Sequence, residues 1–389
     1  MTSADRFGVH GWLYYYAAFS ARFVRHVLSG MRASSDSLVL DPFVGCGTTS
    51  VVAKSLGVPS IGVELNPTAY YVSRAKVGWQ PDLTQLREAL NCLKGRLPRV
   101  EPTKEYSKWF HRDDPAIART LQLGRAIIER FGDNDLRDFL IAALLLSLRR
   151  VAKVTRSSNP TWILNSKRPS KSPDPYQALR SQAKSMLQDL ELEARNPQTK
   201  AEIVFGDSTS VKLEKSFDAI ITSPPYLTRI DYIVNFRMEN ELLANLGLPS
   251  QFDIRGLRDA MIGTVTVPDK ALASRAPDLN WGTTCVDVLN KIRGHSSYAA
   301  SSYYYPTICN YFNNMHRWLV HAYDDFLKPD GLLFIVVQTS FFKDVEIPIG
   351  DILLEMAKLK GFSNAVKLRS ESVHAPPRVH FEDVLLLVR

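Results

Sequence analysis

Ser223, Pro224, Pro225 and Tyr226, within the stretch AIITSPPYLTRIDY (219–232), place a hydroxyl, two imino acids and an aromatic ring at the end of an apolar run. Proline has no amide hydrogen, so neither proline can be tied into a strand ladder, and the chain leaves the sheet stiffly with its carbonyls available to a cleft. The Ser223 hydroxyl oxygen and the Pro224 carbonyl then form a rigid pair of hydrogen-bond acceptors. Such a pair suits the exocyclic amine of a base, which is a poor nucleophile because its lone pair is drawn into the ring. Hydrogen bonds from both amine protons favour a pyramidal nitrogen that can attack an activated methyl group directly. Tyr226 adds a flat face on which a base turned out of its stack can rest.

A second constellation lies upstream in DPFVGCGTT (41–49). Gly45 and Gly47 allow a ligand close to the backbone. Glu64, 19 residues after Gly45, is placed to accept hydrogen bonds from ribose hydroxyls, and together they describe an adenosine site. Ser50 stands where a dinucleotide fingerprint has its third glycine, which argues against a pyrophosphate on the helix N-terminus and against a nucleotide-dependent oxidoreductase. Cys46, Cys92, Cys285 and Cys309 are widely spaced with no CxxC pair, so neither a disulfide framework nor a metal site is indicated. None follows a proline, so a covalent route at cytosine C5 lacks its usual nucleophile.

Both constellations need a scaffold that ends strands on one side. SLVLDPF is a short apolar run stopped by Asp41-Pro42; a glycine turn and a helical pattern closed at Gly57 follow, then the run SIGVELNP. Strand, turn, helix, strand is a βαβ unit and implies a parallel sheet. After Pro81 helical periodicity covers 113–132, 135–150 and 174–194, with a Pro-, Ser- and Lys-rich loop between the last two. Strand patterns return at AEIVFGDS (201–208) and SFDAIITSPPY (216–226), and again at PDGLLFIVVQTS, AVKLRS and FEDVLLLVR, with helices from Asn310 and near 349–360. Block 247–302 shows no clear period.

The string Asp41-Pro42-Phe43-x-Gly45-x-Gly47-Thr48 resembles the S-adenosylmethionine motif of class I methyltransferases, specifically the amino-methyltransferases of DNA. Ile221 to Tyr226 resembles the signature of the N4-cytosine-specific members, whose adenine-N6 relatives usually carry Asp or Asn in place of Ser223. The resemblance implies an α/β fold of the class I methyltransferase, Rossmann-like kind: a seven-stranded, mostly parallel sheet with an inserted helical region. Segments 1–80, 201–246 and 303–389 would form the catalytic core, 81–200 a mainly helical insertion, and 247–302 a second insertion of unassigned role. It also implies S-adenosyl-L-methionine as cofactor, held by Asp41, Pro42, Phe43, Gly45, Gly47, Thr48, Glu64, Asn66 and Asp207, with Phe19, Ser20 and Arg22 near its methionine end. Ser223, Pro224, Pro225 and Tyr226 become the catalytic residues of N4 methylation on a flipped cytosine, with adenine N6, or an RNA base, as the alternative.

A net charge of +8 and a pI near 9.2 favour a polyanionic partner. From Arg149 to Lys171 there are seven basic residues (Arg149, Arg150, Lys153, Arg156, Lys167, Arg168, Lys171) and no acidic one, interrupted by Trp162. This pattern fits a loop that holds DNA phosphates while side chains reach base edges, and it makes 81–200 the expected target-recognition region. Tyr14 to Tyr16 and Tyr303 to Tyr305 are further candidates to stack bases. Double-stranded DNA with a specific site is the expected partner, alongside a cognate restriction endonuclease. The longest apolar stretch, Phe139 to Leu148, is too short for a bilayer and no signal peptide is evident, so a cytoplasmic location is expected.

Overall fold

The structure, a computed structural model, describes residues 7–14, 19–78, 82–108, 114–156, 163–165, 172–193, 199–227, 231–250, 252–264, 276–375 and 378–389; for 155–156, 163–165, 372–375 and 378–380 it describes the backbone alone. Seven strands make one sheet: β1 (Val39–Asp41), β2 (Ser60–Glu64), β3 (Ala201–Phe205), β4 (Phe217–Thr222), β5 (Leu327–Gln338), β6 (Asn364–Ala375) and β7 (Arg378–Val388). Their spatial order is β3-β2-β1-β4-β5-β7-β6. Pairs from β3 through β5 are parallel, with Leu40 opposite Ile61 on one side and Ile220 on the other. β7 runs antiparallel between β5 and β6. All seven strands fall in 1–80, 201–246 and 303–389.

β1 and β2 are buried along their whole length and β4 nearly so, as strands must be when helices cover both faces of a parallel sheet. On one face the helix Pro67–Val77 shares a continuous apolar cluster with the inserted helices Ala116–Phe131, Asp135–Val151 and Pro175–Leu192. Asp135–Val151 starts where Asn134 accepts a hydrogen bond from Arg137 N, and its apolar residues run nearly all round. It is therefore buried between Pro67–Val77 and Pro175–Leu192. The helices of 116–192 thus complete the core of that face. The other face is covered by Thr283–Arg293, Tyr305–His321 and Ile349–Lys360, packed around Trp281, Phe312 and Trp318.

Two segments differ from the expectations. The loop between the second and third inserted helices contains a short antiparallel pair, Val154–Arg156 with Ile163–Asn165, where apolar and β-branched residues flank the polar centre. Block 247–302 holds the helices Ile254–Ala260 and Thr283–Arg293, the latter burying Cys285, Val288, Leu289 and Ile292. That spacing is helical, but Thr, Cys, Val and Asp are weak helix formers, and burial supplies what propensity does not. Among the described residues no helix is long and apolar enough to cross a membrane.

The chain passes outward from β1 to β2 and β3, then returns to β4 on the other side of β1. Sheets of this order bind ligands beyond the carboxyl ends of the strands at that reversal, and both constellations sit there.

Candidate active site

β1 ends in Asp41, which is 1% exposed. Its Oδ1 accepts hydrogen bonds from Thr222 Oγ1 (2.7 Å) and Phe43 N (3.2 Å), and its Oδ2 accepts from Thr49 Oγ1 (2.6 Å). Burial pushes the carboxyl up to about 6, against the pull of these three donors. The side chain therefore joins β1, the following helix and the last residue of β4, and it does not line the cleft in front of them. The turn beyond it needs glycine at 47: φ is +86° and a Cβ would lie 3.1 Å from Ser73 Cβ on the neighbouring helix. Gly45 also has positive φ and donates its N–H to Glu64 Oε2 (2.7 Å). Thr48 opens the helix Thr48–Ser55 and is buried. Lys76, buried on the neighbouring helix, donates to the carbonyl of Cys46 (2.6 Å) and supports the turn from below.

Glu64 ends β2 and reaches the cleft. Its second oxygen, Oε1, accepts from Asn66 N (2.7 Å), and burial pushes the carboxyl up to about 7 against both backbone donors. Asn66 also lines the cleft, with its amide donating to the Tyr232 carbonyl (3.0 Å) and its Oδ1 capping Thr68 N (3.0 Å). Asp207, just past β3, also lines the cleft and holds Thr209 N through Oδ1 (2.8 Å).

β4 ends at Thr222, held by Asp41, and the chain then turns into the cleft. Ser223 and Pro225 line it; Pro224 is buried behind them and Tyr226 is half-buried. Burial, then the neighbouring Tyr226, pushes the hydroxyls of Tyr232 and Tyr311 up. The cleft encloses about 590 Å³ including its open mouth. It brings together Pro42, Phe43, Glu64, Asn66, Asp207, Ser223 and Pro225 from the expected set. Gly45, Gly47 and Thr48 do not line it, though Gly45 holds Glu64, which does. Phe19, Ser20 and Arg22 lie at the start of the helix Ala21–Gly30, where Ser20 Oγ accepts from Phe23 N (3.2 Å), and none lines the cleft. Sequence reasoning missed Leu65, Ser208, Tyr232 and the turn Ala260 to Ile262, all of which do.

Among the described residues, the lining has two carboxylates and no lysine or arginine. A phosphorylated ligand would find no counter-charge, whereas acceptors for hydroxyls and an amine beside apolar faces at Phe43, Leu65 and Pro225 fit a nucleoside with a cationic 5′ substituent. The residues present therefore fit an S-adenosylmethionine-like group.

The basic run is less open than its composition. Arg149 Nε pairs with Glu239 Oε1 (2.5 Å), its guanidinium also meets the Asn235 carbonyl, and both charged side chains are largely buried. Arg150 donates to the Ala178 carbonyl (2.8 Å) from an exposed position, and Lys153 is half-buried. Lys167, Arg168, Lys171 and the side chain of Arg156 lie outside the described residues. So do Tyr15 and Tyr16; Tyr305 is fully buried and Tyr303 is exposed.

Residues 10–75 match the family model for N6 and N4 enzymes described as DNA methylase. The chain is similar to the type II methyltransferase M.BsoBI of Geobacillus stearothermophilus, 26% identical over 306 residues that cover 69% of this chain and 58% of that protein. It is also similar to the type II methyltransferase M.MvaI of Kocuria varians, 22% identical over 82% of this chain and 73% of that protein. A shorter match, 31% identical over 106 residues, links 27% of the chain to 18% of the type II methyltransferase M.MjaII of Methanocaldococcus jannaschii. The chain thus spans less than two thirds of the length of the first of these relatives. The segment that matches the DNA methylase model spans the DPFVGCGTT turn and Glu64.

Proposed function

We propose that the chain is an S-adenosyl-L-methionine-dependent DNA methyltransferase of class I fold that methylates the N4 amine of cytosine, flipped out of a specific duplex sequence. One observation carries this reading: the acceptors Glu64 and Asp207 and the Ser223-Pro225 end of β4 share a single cleft. The bound cofactor supplies a methyl group activated by its sulfonium. Glu64 and Asp207 accept hydrogen bonds from the nucleoside, and Phe43, Leu65 and Pro225 exclude water from its faces. Ser223 Oγ and the Pro224 carbonyl accept hydrogen bonds from the two N–H groups of the target amine, so its lone pair is directed at the methyl. Tyr226 stacks on the base. Asp41 holds Thr222, and with it the start of this acceptor array, against the cofactor turn.

The type II methyltransferase names of the relatives support duplex DNA as substrate and a partner restriction endonuclease. Arg150 and Lys153, with the basic residues that follow, are the candidates for phosphate contacts. Arg149 instead ties the insertion to the segment after the catalytic loop. The test is to incubate the protein with DNA and methyl-labelled cofactor, digest to nucleosides and identify the product by mass spectrometry. N4-methylcytosine is expected; N6-methyladenine would overturn the choice of base, and no label in DNA would overturn the substrate.

A further inference from the structure

The turn after the helix Ile254–Ala260 belongs to the block whose role the sequence leaves unassigned, yet Ala260, Met261 and Ile262 line the cleft beside Glu64 and Asp207. Met261 packs in one apolar cluster with Tyr232, Ile233 and Leu257, and Leu65, the residue after Glu64, packs against that cluster. Ile262 belongs to the larger core with Leu40 and Leu227. Both side chains are largely buried, so their positions are fixed by core packing.

Two attachments hold it there. Arg258 donates through Nε (2.9 Å) and Nη2 (2.8 Å) to Asp231 Oδ2, and Asp231, 2% exposed, caps the helix Tyr232–Asn235 through its other oxygen. Gly263 has φ +81°, and a Cβ there would lie 2.7 Å from the Tyr226 carbonyl oxygen and 3.5 Å from Pro225 Cβ. Only glycine lets the turn lie this close to the catalytic loop.

We infer that Ala260 to Ile262 form the wall that covers the nucleoside half of the cofactor, making this turn a cofactor-binding element. The inference rests on the proposed cofactor. An adenine ring needs an apolar surface on each face, and Met261 beside Leu65 supplies one next to the carboxylates that take the ribose and the amine. The Gly263 contact ties the same wall to Tyr226, so a filled cleft fixes the catalytic loop.

The test uses the full chain with S-adenosylhomocysteine in isothermal titration calorimetry and a duplex oligonucleotide in a separate binding assay. Met261→Ala and Ile262→Ala are expected to weaken S-adenosylhomocysteine about tenfold each, the order expected when a buried apolar contact is removed, and to leave duplex affinity within twofold. Because either variant could lose its fold, ultraviolet cross-linking of labelled S-adenosylmethionine to the unmodified protein gives a second readout. Label in the tryptic peptide Asp259 to Lys270 supports the wall. Unchanged affinity in both variants, loss of duplex binding instead, or label confined to other peptides overturns it. If the unmodified protein binds no S-adenosylhomocysteine at all, the proposed cofactor fails first, and the two failures are distinguishable.

Discussion

Glu64 sets a pH dependence that can be worked from the structure. Its carboxyl is pushed from an ordinary 4.5 up to about 7 because both oxygens are buried, and two backbone N–H donors only partly compensate. A ribose hydroxyl donating to Glu64 prefers the ionised form, so ligand binding draws the value back down. In the free protein roughly one Glu64 in a hundred is ionised at pH 5 and about nine in ten at pH 8. If the bound value returns to the ordinary one, affinity falls by up to about 70-fold, some 2.5 kcal/mol, between pH 8 and pH 5. Methylthioadenosine is the suitable probe, since it has the nucleoside but no group that titrates in this range. Asp41 titrates nearby, at about 6, but its oxygens are taken by Thr49, Thr222 and Phe43 N, and it does not reach the cleft. Glu64→Gln therefore isolates the effect: weaker binding at pH 8 and a nearly flat profile are expected by calorimetry. A flat profile in the unmodified protein, or an equally steep one in the variant, refutes the assignment of Glu64 to the ribose.

The same carboxyls act on stability with the opposite sense. Asp41 and Glu64 hold their protons more tightly folded than unfolded, so their contribution to the ligand-free fold is fully present below about pH 4 and is lost as pH rises through 6 to 7. Scanning calorimetry should show a smaller fall in Tm from pH 5 to pH 8 in Glu64→Gln than in the unmodified protein; an equal fall contradicts the shift. Ser223→Ala should lose most turnover while keeping its S-adenosylhomocysteine affinity, and unchanged turnover removes the hydroxyl from the mechanism. Thr222→Val takes one donor from Asp41 and should cost about 1–3 kcal/mol in urea unfolding, with turnover falling more than cofactor affinity. If cofactor affinity falls as much, Thr222 supports the whole turn and not the catalytic loop. Arg149→Met leaves Glu239 buried without its partner and should cost about 3–5 kcal/mol, largely recovered with Glu239→Leu. A stable Arg149→Met protein that has lost duplex affinity would return Arg149 to the DNA interface.

Much of the framework was legible because it rests on local rules. Apolar runs stopped by Asp41-Pro42, Glu64 and Ser223-Pro224 mark strands that must be buried and must end, and a helical run between the first two makes that pair parallel. The positive φ at Gly45 and Gly47 is likewise a property of residue type. Thr283–Arg293 was not legible, since its apolar period is carried by weak helix formers and only packing fixes it. Charge was legible as composition but not as exposure. Arg149 reads as one cation among seven, whereas its pairing with Glu239 depends on a helix 90 residues away.

By itself, then, the sequence determined which residues end the strands at one edge of the sheet, because strand termination and turn chemistry depend on neighbours along the chain. Only the tertiary structure decided what each of those residues faces. Asp41 faces Thr49 and Thr222, Glu64 faces both its own turn and the cleft, and Met261 lines the same cleft from a block with no readable pattern. Those contacts join positions far apart in sequence and are fixed by how strands and helices pack, which no local spacing encodes. The Ser223-Pro224-Pro225-Tyr226 run carries the proposed chemistry in its residue types, and its place beside the Gly45–Gly47 turn comes from the Asp41–Thr222 hydrogen bond between two neighbouring strands.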